Sequence, residues 1–298
     1  MDHRIDFVKL SGSGNDFICI DNRDGRLDPV LSPQRVGQFA RTICRRGLGI
    51  GADGIIFASK PEVDGVADVA ATFLEPDGSE AELCGNGTAC FTRWGIDNGW
   101  ARGGELRVLT PAGVVRGRIA EDFYVRVCIP LPEDVRRDLS LQAEGGNWLC
   151  DYALTGVPHL VTYMDDVSQL DMDHVGPSLR RHEAFGPRGV NVNFAQVLGE
   201  GELALRTFEF GVEGETLACG TGAATASVLS AVRFGWGEPY RLGKQPVLVH
   251  VRGGDVLRVF LTLDAQNAVT DLCLDSVVRY NYTGSIHPHL LTRALAEQ

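Results

Sequence analysis

Two short stretches hold residue types suited to acid–base chemistry at carbon. Cys84-Gly85-Asn86-Gly87 recurs as Cys219-Gly220-Thr221-Gly222, a period of 135 residues (219 − 84). Each stretch opens an apolar, helix-like pattern that runs to Gly99-Trp100 in the first case and Gly235-Trp236 in the second. A helix N-terminus presents unpaired N–H groups and about half a unit of positive charge. Glycines let backbone approach a ligand closely. Each turn therefore suits a carboxylate, and a Cys placed there gains thiolate character from its usual pKa of about 8.5. Two such thiols around one carboxylate form a two-base device. One thiolate removes a proton from the carbon beside the carboxylate, and the opposite thiol returns one on the other face. The helix N–H groups stabilise the enediolate-like charge between the two steps. The outcome is a racemase or epimerase that needs no pyridoxal phosphate, so neither cofactor nor metal is expected.

A single Cys-Gly-x-Gly turn would equally suit a buried Cys beside a glycine turn; two at equivalent repeat positions do not fit that reading. A dinucleotide loop is excluded, because Thr225 stands where the third glycine belongs after Gly220 and Gly222. Gly47, Gly49 and Gly51 also have the wrong spacing for one. A Cys–His hydrolase with His159 as base leaves the second Cys turn unexplained.

The elements that must position these turns repeat as well. Glu80 and Glu215 each lie four residues before their Cys. After each helix come two β-branched runs joined by a turn: 105–109 with 114–117, then 247–251 with 256–259. This pattern predicts an α+β fold built from one duplicated unit. Pro130-Leu131-Pro132 cannot continue a strand or helix and marks the boundary. The expected domains are 1–130, completed by a returning segment 277–298, and 131–276. A duplicated unit places its two turns around a pseudo-twofold axis, with the active site in the interdomain cleft.

Composition limits the alternatives. The chain of 298 residues is 44% hydrophobic and 22% charged, which excludes general disorder. Net charge is −11 with no basic stripe, so no nucleic acid partner is expected. No apolar run approaches the ~20 residues of a membrane span. The charged start, Met1-Asp2-His3-Arg4, lacks a signal-peptide core, which predicts a cytoplasmic protein. Eight cysteines are too sparse for a disulfide scaffold, and none has CxxC spacing. Cys19, Cys44, Cys90, Cys128, Cys150 and Cys273 are read as small buried hydrophobes.

Further segments strengthen the pattern: residues 9–17 (Lys-Leu-Ser-Gly-Ser-Gly-Asn-Asp-Phe), 49–54 (Gly-Ile-Gly-Ala-Asp-Gly) and 77–87 (Asp-Gly-Ser-Glu through Cys-Gly-Asn-Gly). Gly156-Val157-Pro158-His159, Asn191-Val192-Asn193-Phe194 and residues 214–222 follow. In order and spacing, these segments resemble the diaminopimelate epimerase family across nearly the whole chain. The resemblance implies two pseudo-symmetric domains, each a curved, mostly antiparallel sheet or barrel around a central helix. It implies Cys84 and Cys219 as the acid/base pair. It also implies that backbone N–H groups of Gly85, Asn86, Gly220 and Thr221 hold the α-carboxylate, and that Asn15 lines the substrate site. His159 and Glu209 match residues placed near the α-amino group that assist proton transfer. The expected partner is a small-molecule amino acid, with homodimerisation left open.

The sequence departs from the family pattern where the far end of the substrate is held. An Arg follows the Glu in the family; here Phe210 follows Glu209. Val157 replaces an Asn before Pro-His, and Glu75 replaces an Asn before Asp-Gly-Ser-Glu. Asn191 alone of this polar set is kept. Phe cannot replace the bidentate fork of Arg on a carboxylate. A pocket with Phe210, Val157 and one acid suits an apolar or cationic side chain, unless Arg45, Arg46, Arg93 or Arg188 compensates. The leading expectation is conversion of L,L-diaminopimelate to the meso form for lysine or cell-wall synthesis. The alternatives are the same racemisation of a basic or apolar amino acid, and an amino-acid-binding module without catalysis. An isomerase of the phenazine-biosynthesis type is disfavoured, because that family lacks the paired cysteines.

Overall fold

The computed structural model describes residues 4–29, 31–81 and 84–295. The chain divides into two compact units, one of residues 1–127 with 278–298 and one of residues 128–277.

The first unit contains β1 (Ile5–Gly12), β2 (Asn15–Asp21), α1 (Pro33–Cys44), β3 (Gly54–Ser59), β4 (Val69–Leu74) and β5 (Glu80–Ala81). After these come α2 (Gly85–Asp97), β6 (Glu105–Thr110), β7 (Gly113–Ile119) and β8 (Tyr124–Cys128). The second unit contains β9 (Glu133–Ala143), β10 (Gly146–Thr155), β11 (Val157–Tyr163), α3 (Met172–Arg180), β12 (Asn191–Gly199), β13 (Glu202–Glu209) and β14 (Gly214–Thr216). It continues with α4 (Gly220–Arg233), α5 (Glu238–Arg241), β15 (Val247–Val251) and β16 (Val256–Leu263). Strand β17 (Val269–Ile286) begins in the second unit and ends in the first, followed by α6 (Pro288–Leu295).

Pairing runs β1–β2–β3–β4–β6–β7–β8–β17 and returns from β17 to β1. The Val278 N–H donates to the Phe123 carbonyl at 2.7 Å where β8 meets β17. These eight strands close into a barrel, which leaves no free edge. Alternating buried and exposed positions, as in β6 and β7, follow from the two-residue period of a strand with one face inward. Helix α2 packs against β1, β2, β6 and β7, with Gly85 through Thr92 buried. It is therefore the central helix. Helices α1 and α6 cover the outside through a cluster that includes Phe39, Ile43, Ile55 and Leu291.

The second unit repeats this plan. Antiparallel β10–β11, parallel β11–β12, antiparallel β12–β13, parallel β13–β15 and antiparallel β15–β16 match β1–β2, β2–β3, β3–β4, β4–β6 and β6–β7 in order and sense. Short β5 and β14 sit at equivalent places on β4 and β13. Helix α4 packs against strands β10 to β13, β15 and β16. It is rich in Gly, Ala, Ser and Thr, and every residue from Gly220 to Ala231 is buried. Small side chains let the surrounding strands come close on all sides. The expected α+β class with duplicated, sheet-wrapped central helices is the fold observed.

One expectation is corrected. Cys128 and Cys273 are not small buried hydrophobes; their sulfurs form a disulfide at 2.04 Å. The long β17 brings Cys273 beside the end of β8. No sequence spacing signals that neighbour across 145 residues.

Candidate active site

In the first unit, the β1–β2 hairpin turns at Ser13 and Gly14, both with positive φ (47° and 100°). This is the backbone of a two-residue hairpin turn, and it pairs Gly12 with Asn15. A Cβ on Gly12 would lie 2.7 Å from the Asn86 carbonyl oxygen and 2.9 Å from Cys90 Sγ, so only glycine lets the hairpin reach α2. Cys84 is the N-cap of α2 (φ −129°, ψ 111°), and its Sγ accepts the Gly87 N–H at 3.4 Å. A sulfur thus occupies the place where a capping oxygen usually sits. Asn86 is buried and donates through Nδ2 to Asn15 Oδ1 at 2.7 Å.

An ionic cluster stands behind Asn15. Asp53 accepts the Asp16 N–H at 3.1 Å and pairs with Arg46 at 2.7 Å, and Asn15 Nδ2 lies 3.5 Å from its Oδ2. Lys9 pairs with Asp16 at 2.8 Å. Burial alone would raise Asp16, but hydrogen bonds from Arg46 and Lys9 outweigh it and hold its pKa at about 2. Glu75 follows the last residue of β4. Burial, reinforced by the charges of Asp77 and Asp53, pushes its pKa up to about 7. Among the described residues, no cation pairs with Glu75.

In the second unit, Cys219 caps α4 in the same way. Its φ is −121° and ψ 111°, and its Sγ accepts the Gly222 N–H at 3.4 Å. A Cβ on Gly222 would lie 2.2 Å from Asn193 Oδ1. His159 is fully buried, with Nε2 2.9 Å from Thr221 Oγ1 and Nδ1 3.2 Å from Asn193 Nδ2. Asn193 Nδ2 also donates to the Leu160 carbonyl at 2.9 Å, and its Oδ1 accepts the Thr207 hydroxyl at 3.0 Å. A carbonyl can only accept, which fixes the orientation of this amide. His159 Nδ1 must then accept, and the ring proton sits on Nε2, directed at Thr221. Burial pushes the His159 pKa down to about 3, so the ring is neutral at pH 7. Thr221 Oγ1 lies 3.6 Å from Cys219 Sγ. The polar chain Thr207–Asn193–His159–Thr221–Cys219 is buried throughout.

Of the remaining site candidates, Asn191 accepts the Phe210 N–H through Oδ1 at 2.9 Å. Glu209 accepts the Thr216 hydroxyl. The Phe210 ring has the guanidinium groups of Arg180 and Arg188 at 5.0 and 5.1 Å. Arg180 pairs with Glu213 at 2.7 Å, and Arg188 is exposed. Val157 is the first residue of β11, paired with Thr155. Arg46 belongs to the Asp16 cluster and Arg93 pairs with Asp97, whereas exposed Arg45 ends α1. Sequence reasoning gave no role to Asn193, Thr207 or Asp53. The alternation Asn191-Val192-Asn193 puts both amides on one face of β12, which is the available signal for Asn193.

The family model for diaminopimelate epimerase matches residues 7–128 and 152–269. The chain belongs to the diaminopimelate epimerase family. A member from Aquifex aeolicus is 36% identical over 96% of this chain and 99% of its own length. One from Gemmatimonas aurantiaca is 41% identical over 75% of this chain and 78% of its own. Among solved structures, a phenazine biosynthesis protein of the PhzF family from Bacillus anthracis superposes with a TM-score of 0.72 at 14% identity, covering 95% of this chain and 99% of that one. A hydroxyproline epimerase from Agrobacterium vitis gives 0.67 at 18% identity, covering 96% and 91%. At such identities these likenesses concern the fold. Both Cys-capped helices lie within the residues matched by the diaminopimelate epimerase model.

Proposed function

We propose that this chain is a cofactor-independent amino-acid epimerase that inverts an α-carbon by two-base proton transfer. Its substrate is L,L-diaminopimelate, converted to the meso form for lysine or cell-wall synthesis. The observation that carries this reading is the matched pair of Cys-capped helices, each sulfur accepting the N–H three residues on at 3.4 Å. The backbone N–H groups of Gly85 and Asn86 and of Gly220 and Thr221 hold the α-carboxylate, and the helix dipoles favour its charge. One sulfur takes the α-proton as a thiolate while the other delivers a proton to the opposite face. Asn15 lines the site, and Glu209 takes the α-ammonium. His159, neutral and bonded to Thr221, serves the same half-site. On this reading the enzyme works in the cytoplasm.

A second reading comes from Glu75. A half-buried carboxylate with no cation paired to it among the described residues, together with Phe210 and Val157 in place of polar residues, favours an amino acid with a cationic side chain. Against it, a cation does stand at this position: the Arg188 guanidinium lies 5.1 Å from the Phe210 ring. The test is chiral chromatography after reduced enzyme acts on L,L-diaminopimelate and, separately, on lysine, arginine, histidine and leucine. Conversion of diaminopimelate alone supports the first reading. Conversion of lysine or arginine alone moves the substrate to the second. Inert, folded, fully reduced protein would sink both and favour the binding module.

A further inference from the structure

We infer that the Thr221 side-chain hydroxyl is a catalytic residue, donating a hydrogen bond to Cys219 whenever that sulfur is a thiolate, and that His159 acts through it as a positioning residue. The inference rests on the reading of Cys219 as an acid/base sulfur. It adds a side-chain role to a residue otherwise used through its backbone.

The geometry leaves the hydroxyl little choice. A threonine hydroxyl has one proton and two lone pairs. The Nε2–H of His159, 2.9 Å away, takes one lone pair, because Asn193 occupies Nδ1 and fixes the tautomer. The hydroxyl proton is then free to point at Cys219 Sγ, 3.6 Å away. When Cys219 is a thiol, its S–H uses the second lone pair of Oγ1. When the sulfur gives its proton to the α-carbon, the hydroxyl rotates and its own proton turns toward the new thiolate. One proton moves, from Sγ to carbon; the hydroxyl and the imidazole keep theirs. Apart from the sulfur itself, nothing in the buried chain needs to become charged. Proton carriage by His159 would need a free lone pair on the ring, and neither nitrogen offers one.

At the other cap the equivalent position carries an amide in place of a hydroxyl. The residue equivalent to Thr221 is Asn86, whose Nδ2 donates to Asn15 Oδ1 at 2.7 Å. The two half-sites therefore differ in the side chain two residues after the sulfur, although their caps match.

The experiment is alkylation by iodoacetamide over a range of pH without substrate, with rates read separately at Cys219 and Cys84 by peptide mass spectrometry. Thr221→Ala removes the hydroxyl without adding bulk, and Thr221→Ser restores it without the methyl group. In Thr221→Ala the Cys219 rate near neutral pH falls roughly tenfold, the equivalent of about one pKa unit. Cys84 is unchanged, and Thr221→Ser behaves as wild type. His159→Leu moves the Cys219 profile in the same direction, and His159→Gln, which keeps an N–H donor, restores it. In turnover, Thr221→Ala lowers kcat with little change in KM. An unshifted Cys219 profile in a Thr221→Ala protein that melts as wild type, or equal slowing at Cys84, overturns the inference. Should Thr221→Ala not fold, loss of the wild-type Cys219 profile in His159→Leu with recovery in His159→Gln decides the same point. A shifted profile with no wild-type turnover of any amino acid would sink the epimerase reading. Normal turnover with an unshifted profile would sink the role of the hydroxyl alone.

Discussion

His159 lies in the interior with both ring nitrogens bonded, and it titrates very differently folded and unfolded. Burial lowers its folded pKa from 6.5 to about 3. The unfolded chain therefore binds the extra proton between those values, and stability falls as pH drops below about 6.5. Urea unfolding should show this group costing about 2 kcal/mol between pH 7 and pH 5, a slope that His159→Asn reduces. Equal slopes in both proteins would contradict a buried neutral ring. Glu75 has the opposite sign. Its folded pKa is raised to about 7, so stability is present below the unfolded value near 4.5 and lost as pH rises through 7. Glu75→Gln should therefore be more stable than wild type at pH 8 by on the order of 3 kcal/mol and match it near pH 4. The same variant bears on substrate: if Glu75 reads a cationic side chain, turnover of that amino acid falls sharply. At this scale the sequence showed the two sulfurs and their glycines, because their chemistry is local. It did not show the Asn193–His159–Thr221 chain, because those partners lie 34 and 62 residues apart and meet only through strand register.

Helices α2 and α4 and the strands around them show how much one duplicated plan can carry. Both helices start on a Cys cap with ψ of 111°. Their glycines nevertheless face different neighbours. A Cβ on Gly222 would lie 2.2 Å from Asn193 Oδ1, whereas on Gly87 it meets ring carbons of Phe73 and Phe17 at 3.1 to 3.3 Å. Gly222→Ala must displace the amide that orients His159. Gly87→Ala asks two rings to shift by tenths of an ångström. Both variants lose stability, by about 1–3 kcal/mol for overpacking, but Gly222→Ala should lose at least about tenfold more kcat, since it also disturbs the Cys219 half-site. Equal kcat in the two variants would contradict this. The hairpins and Cys-led helices were legible from β-branched runs, turn residues and the repeat. Strand order was not: the parallel β2–β3 and β4–β6 pairs, like their repeats, depend on crossovers that alternation does not encode.

Across the whole molecule, the Cys128–Cys273 disulfide closes a loop of 145 residues that spans nearly all of the second unit. Constraining so long a loop in the unfolded chain is worth about 2–5 kcal/mol. Mild reductant, or Cys273→Ser, should lower the melting temperature while leaving Cys84 and Cys219 free to work. A melting temperature insensitive to both treatments would show that the bridge adds nothing. Duplication and class were readable from a period of 135 residues in the sequence, but this bridge was not, since it joins two strands that only the fold brings together. The central claim is that two thiols, one from each helix cap, invert one carbon. Proton NMR in D₂O with L,L-diaminopimelate, using reduced wild type, Cys84→Ala and Cys219→Ala, tests it most directly. Wild type should replace the α-proton with deuterium and form the meso isomer, and neither variant should form any. Meso isomer produced at the wild-type rate by either single variant would contradict a two-thiol mechanism.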